Sequence, residues 1–205
     1  MARKTKAEAQ LTRQQIIDAA RQTFVKRGVS RTTMEHIAET AGVTRGAVYW
    51  HFASKTDVFF AMRDQVALPL LDRISHTLLD EERGDPLSRI ETYMQETMEL
   101  LATDAVARQT YEIITSKCEY VYEFAGVRAQ MMQCGHDMLA KLTAAYSRAK
   151  DKGLLRQGLE PAAMALDTFA FSFSLIHLWF ADSEKKLIRT KCHDMIKAHI
   201  SLRRL

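Results

Sequence analysis

Arg45, Gly46, Ala47, Tyr49 and His51 fall within seven consecutive residues, and Lys55 follows closely. A guanidinium can grip two acceptors on the edge of a guanine at once. Gly46 and Ala47 beside it keep the chain slim, so the backbone that carries Arg45 can approach what Arg45 touches. Tyr49 and His51 add hydrogen-bonding groups within reach of flanking phosphates. Lys55 opens the next predicted helix, where an ammonium and a helix N-terminus both favour phosphate. These are the residue types of a surface that reads base edges and grips a nucleic-acid backbone.

That chemistry needs a short helix held against another. Residues 33–52 read TMEHIAETAGVTRGAVYWHF. Met34, Ile37, Ala38 and Ala41 make an apolar stripe at helical spacing. Gly42 stands where a tight turn needs positive φ. Val43 is placed to plug the core, and Thr44 to cap the second helix. Val48 and Phe52, four apart, face inward. The segment therefore predicts a helix-turn-helix whose second helix enters a major groove. Trp50 either packs beneath that helix, the favoured reading, or touches the nucleic-acid backbone.

Around this motif the chain reads as all-α, with about nine helices. Gly (8) and Pro (3) are scarce among 205 residues, too few for the turns of a sheet protein. Residues 1–11 predict a polar basic arm. Thr12 predicts the first N-cap, Ile16, Ala20 and Phe24 the first buried face, and Gly28 the stop. Thr32 with Glu35, and Ser54 with Asp57, have capping-box spacing. A long fourth helix contains Pro69, which predicts a kink or break near 65–69 and a domain boundary within that helix. Further helices are expected at about 86–102, 105–118, 122–152, 161–181 and 185–201.

Residues 1–63 hold eleven Lys and Arg against five Asp and Glu, while the whole chain is only +4. The basic charge sits at one end, which implies a polyanionic partner there. Cys118, Cys134 and Cys192 are an odd, widely spaced set that suits a reducing cytosol. The charged N-terminus does not read as a signal peptide. The apolar run Phe169 to Phe180 is shorter than the roughly 20 residues a bilayer needs, so no membrane partner is expected. His36, His136, His193 and His199 read as helix-surface residues, and Cys134/His136 and Cys192/His193 lack metal-ligand spacing. No metal and no cofactor is expected. G-x-S-x-G, H-E-x-x-H and G-x-G-x-x-G are absent, and no Ser/His/Asp set emerges, which argues against an enzyme. The second half is rich in Met94, Met98, Met131, Met132 and Met138, with Phe169, Phe171, Phe173, Trp179 and Phe180. For any one of these a plain core is the simpler reading, although the set suits an adaptable apolar pocket.

AGVTRGAVYWHFASKTDVF closely resembles the recognition segment of the TetR family, and TRQQIIDAARQTFVKRGVSRTTMEHIA is similar to that family's first two helices. MARKTKAEAQ and EIITSKCEYVYEF are similar to its AcrR/TtgR-like branch of multidrug-efflux repressors. The resemblance implies an N-terminal helix-turn-helix domain over 10–70 and a helical ligand-binding and dimerisation domain over 71–205. It implies repression of an efflux operon from a palindromic double-stranded operator by a cytoplasmic homodimer, relieved by hydrophobic small molecules. The recognition helix then falls at Thr44 to His51, with Arg45, Gly46 and Ala47 reading bases and Thr33, Tyr49, His51 and Lys55 clamping phosphate. The implied pocket is lined by Tyr111, Thr115, Phe169, Phe173 and His177, with Met132 among the soft residues nearby. Phe173 stands where the TtgR-like pattern has Asp, which implies a preference for neutral or anionic ligands. Residues 122–152 and 161–181 resemble the family's dimer interface.

Overall fold

The computed structural model describes residues 5–80 and 84–205, with the backbone alone at 134. The elements are α1 (Lys6–Arg27), α2 (Met34–Ala41), α3 (Arg45–His51), α4 (Lys55–Leu79), α5 (Pro86–Thr103), α6 (Ala105–Glu112), α7 (Val127–Asp151), α8 (Pro161–Ala181) and α9 (Cys192–Ser201). A π-helical turn, Ile113–Lys117, and a 3-10 turn, Tyr122–Phe124, lie between α6 and α7. Among the described residues there is no strand, only an isolated bridge between Leu155 and Arg204.

The chain forms two compact units, one from Met1–Leu68 with Ala105–Arg128, the other from Pro69–Asp104 with Ala129–Leu205. The sequence division at 70/71 lies close to the first break. Residues 105–128, expected in the second domain, pack instead with the first unit. The reason is a set of direct bonds: Val29 N–H donates to the Lys117 carbonyl at 2.9 Å, and Arg21 Nε donates to Thr110 Oγ1 at 3.2 Å. Phe124 also sets its ring edge-on to Phe59, centroids 5.3 Å apart.

In the first unit α1 begins earlier than expected. Thr5 and Glu8 form a capping box, so 6–11 are helical, and Thr12 is a buried mid-helix residue bonded to the Glu8 carbonyl at 2.9 Å. Residues 1–4 of the expected arm lie outside the described residues. Ile16, Ile17, Ala20 and Phe24 are fully buried, and Gly28 ends the helix at φ 78°. α2 is capped by Thr33 with His36, not by Thr32 with Glu35. Thr32 turns back to the Gly28 carbonyl at 2.7 Å, and His36 is thereby a capping group rather than a free surface side chain. Ser54 and Asp57 exchange the expected bonds at 2.9 and 3.1 Å and start α4. α4 is helical on both sides of Pro69, so of the expected kink or break the break does not occur.

In the second unit Asp85 caps α5, accepting from Leu87 and Ser88 N–H at 2.9 Å each. Burial pushes the Asp85 carboxyl up, but the Ser88 N–H and Arg204 outweigh it and hold it at about 2. The expected helix at 185–201 starts only at Cys192. The Asp182 carboxylate draws in the N–H groups of Leu187, Ile188 and Arg189 at 2.9–3.1 Å and folds that stretch into turns. The core contains Leu87, Ile90, Leu101, Leu142, Ile196 and Ile200. A polar chain threads it: Tyr146 Oη lies 2.7 Å from Thr168 Oγ1, which lies 3.0 Å from His199 Nε2. His199, expected at the surface, stacks on Phe171 at 4.0 Å because its Thr168 bond draws it inward.

Burial, reinforced by the Arg203 charge against a smaller opposing effect of Asp167, pulls the His199 imidazole down to about 4. The unfolded chain, near 6.5, then binds the proton more readily than the folded one. Stability from the neutral ring is full above pH 6.5 and lost as pH falls from there toward 4. Thermal melts of a His199→Gln variant should show a flatter decline between pH 6.5 and 4 than the parent, while parallel curves would refute this.

Candidate nucleic-acid interface

α3 has only seven residues, and its placement comes from its neighbours. Thr44 caps it, accepting the Ala47 N–H at 3.1 Å. Gly42 adopts φ 65°, the left-handed conformation that the turn from α2 requires, and Val43 N–H bonds back to the Ala38 carbonyl at 3.0 Å. Val48 and Phe52 are buried, and with them one face of α3 is committed. The opposite face is open: Thr44, Arg45, Gly46, Tyr49 and Trp50 are exposed, and Ala47 and His51 are half-buried. The Arg45 guanidinium carbon lies 5.4 Å from the Tyr49 ring centre, one turn along. Thr33 is exposed at the start of α2.

Trp50 does not pack beneath the helix. It is 73% exposed, with the His51 ring edge-to-face beside it at 4.5 Å. The cause is angular: two residues from Val48 is about 200° around a helix, so burial of Val48 turns Trp50 outward. Lys55 also departs from expectation. Its ammonium donates to the Val29 and Thr32 carbonyls at 3.1 and 2.9 Å and pairs with Glu123 at 2.8 Å, leaving the side chain 10% exposed. Two carbonyls at the α1–α2 turn and a carboxylate beyond α6 outcompete solvent for it. Arg13, not singled out from sequence, is exposed and lays its guanidinium over the Phe52 ring at 4.9 Å, beside the end of α3. No local spacing links Arg13 to residue 52.

Residues 16–62 match the model of the bacterial regulatory proteins, tetR family. The chain is 38% identical over 179 residues to the HTH-type transcriptional regulator TtgR of Pseudomonas putida, covering 87% of this chain and 85% of that one. This chain belongs to the TetR family. It is therefore a DNA-binding transcriptional regulator and not an enzyme. Among solved structures it is similar to NalD, the secondary repressor of the MexAB-OprM multidrug efflux pump in Pseudomonas aeruginosa. The TM-score is 0.84 and the identity 26%, over 96% of this chain and 98% of that one. It is also similar to SmeT in complex with triclosan, at TM-score 0.83 and 29% identity over 95% and 92%.

The pocket residues that TetR-family resemblance implies are distributed over both units. Tyr111 and Thr115 belong to the first, where Thr115 Oγ1 donates to the Tyr111 carbonyl at 2.8 Å. Met132, Phe169, Phe173 and His177 belong to the second. Phe169 lies so close to α7 that a Cβ at Gly135 would sit 3.0 Å from its ring. Phe173 and His177 pair at 4.3 Å, but Phe173 is 57% exposed, and Met132 is exposed as well. α8 is apolar on nearly every side. Ala165, Thr168, Leu175 and Trp179 take its buried face and leave Leu166 and Phe173 on the other. Its 21 residues, more than the apolar run 169–180, are long and apolar enough to cross a membrane by length and composition alone. A groove of about 620 Å³ in the second unit, lined by Arg73, His76, Glu96, Glu99, Leu100 and His193, had no sequence signal. Burial pushes the Cys118 thiol up to about 11, away from a reactive thiolate.

Lys55→Ala should lower the thermal midpoint of the full chain, since it strands two carbonyls and a carboxylate, a loss of about 1–3 kcal/mol. It should leave the salt dependence of DNA binding at the parental slope. A slope smaller by about one unit would instead mean that the ammonium sits on a phosphate in the complex.

Proposed function

We propose that this protein is a ligand-responsive repressor of a multidrug-efflux operon, holding a palindromic operator as a cytoplasmic homodimer and released from it by hydrophobic small molecules. The carrying observation is the open face of α3, where Arg45 and Tyr49 project beside slim Gly46 while Val48 and Phe52 are fixed below. The NalD and SmeT relatives, both named as repressors of multidrug efflux pumps, support the efflux assignment, and the triclosan complex of SmeT supports an apolar inducer.

In this reading Arg45 takes a guanine edge, Gly46 and Ala47 admit the close approach, and Thr44 fixes the helix start. Thr33, Tyr49 and His51 face phosphates, with Trp50 and Arg13 beside them. Lys55 acts by holding the α1–α2 turn in place. Within the second unit, Met132, Phe169, Phe173 and His177 are the candidate ligand contacts. A ligand releases DNA only through a difference in its affinity for the DNA-free and DNA-bound states.

Dimerisation is supported by α8, which exposes Leu166, Phe173 and Leu178 at 56, 57 and 48%. A second copy would cover them, and a two-fold pair can meet two half-sites roughly 34–36 Å apart. Leu166→Asp with Leu178→Asp should turn the dimer into a monomer in sedimentation velocity, and an undisturbed dimer would count against this face.

Mobility shifts on the DNA upstream of the protein's own gene test the whole reading. The parent should bind, and triclosan or a similar apolar compound should release it. Tyr49→Ala should weaken binding. Arg45→Ala should weaken it by about 1–3 kcal/mol per base contact and relax the choice of base at one position. Parental affinity in both variants would overturn the site, and no binding by the parent even at low salt would overturn the function.

A further inference from the structure

α4, α5 and α9 border the groove of about 620 Å³ in the second unit. Arg73 and His76 line it from α4, Glu96, Glu99 and Leu100 from α5, and His193 from α9. A space of this order suits a small organic molecule. It shares no residue with Met132, Phe169, Phe173 and His177, the candidate ligand contacts named above.

Some of the polar groups there are already engaged. Thr77 is buried, and its hydroxyl donates to Glu96 Oε2 at 3.1 Å, which ties α4 to α5 at the groove. His76 leans on Asp72 of its own helix, 3.9 Å away. Two charges are left over. Arg73 and Glu99 are both exposed, and neither has an ion-pair partner among the described residues. They line one groove from different helices and do not pair with each other. Among the described residues the His and Glu side chains of the groove do not gather into a cluster of three that could hold a metal ion.

This pattern selects by charge. A lone ammonium finds Glu99 but is repelled by Arg73, and a lone carboxylate finds Arg73 but is repelled by Glu99. A molecule that carries both groups meets each charge with its opposite. The planar guanidinium takes a carboxylate in a two-pronged, charge-assisted bond. Leu100, next to Glu99, and the methylene stem of Arg73 give an apolar body something to cover. The exposed His76 and His193 add ring nitrogens that can donate or accept.

We propose that this groove is a binding site for a zwitterionic organic molecule, with a carboxylate and an ammonium at opposite ends of an apolar body. Arg73 holds the carboxylate, Glu99 accepts from the ammonium, and the body lies over Leu100. The site is separate from the apolar inducer contacts of the second unit. It does not rest on the operator-binding role given above.

The test is calorimetry on the full chain at pH 7 with 4′-(aminomethyl)biphenyl-4-carboxylate, its methyl ester and its N-acetyl derivative. The first carries both charges, the ester the ammonium alone, and the N-acetyl compound the carboxylate alone. The parent should bind the zwitterion at least about fivefold more tightly than either derivative. Arg73→Gln should erase the preference over the ester and keep that over the N-acetyl compound. Glu99→Gln should do the reverse. Both side chains are exposed, so both variants should melt with the parent. Should one variant fail to fold, the other and the parent's ranking of the three compounds decide the matter. Equal binding of the three by the parent, binding of none up to millimolar concentration, or both preferences kept in either variant would overturn the proposal. In the last case the zwitterion binds elsewhere on the chain.

Discussion

A helix of seven residues does not persist by itself in water, because nucleation is unfavourable and so few rungs follow. α3 therefore depends on the burial of Val48 and Phe52 and on the Thr44 cap. Once those side chains are fixed, the helical period dictates the rest. Trp50 must point away from the core, and Arg45, Gly46 and Tyr49 are left exposed beside it. The reading face is the complement of the anchoring face, and neither can be altered alone.

The anchor in turn depends on long-range bonds. Lys55 ties the end of the α1–α2 turn to the segment after α6, and Val29 N–H reaches Lys117 in the same region. Residues 105–128 are thus part of the frame that holds the DNA-facing motif. The π-helical turn at Ile113–Lys117 delivers the Lys117 carbonyl to that bond.

What the sequence made legible was local. The Gly42 turn, the Thr44 cap, the Val48/Phe52 pair and the Ser54/Asp57 box each depend on residues within four positions, and each occurs. The caps at Thr12 and Thr32 were misplaced for an equally local reason: a second threonine lay within reach, and Glu8 and His36 select Thr5 and Thr33. Trp50 was readable from the period once Val48 was set inward. Lys55 was not, because its partners Val29, Thr32 and Glu123 lie far from it along the chain. α8 was opaque for a different reason. Its apolar residues occupy almost every side, so spacing cannot say which face is buried.

Polar groups in the second unit divide into two kinds. Tyr146, Thr168 and His199 satisfy one another, so their burial fixes the packing of α7, α8 and α9 at little net expense. Arg89 has no such closure. An uncompensated internal charge is strongly destabilising, so an apolar residue of similar volume in its place tends to stabilise. Arg89, kept unpaired within the buried part of α5, lowers the stability of this unit.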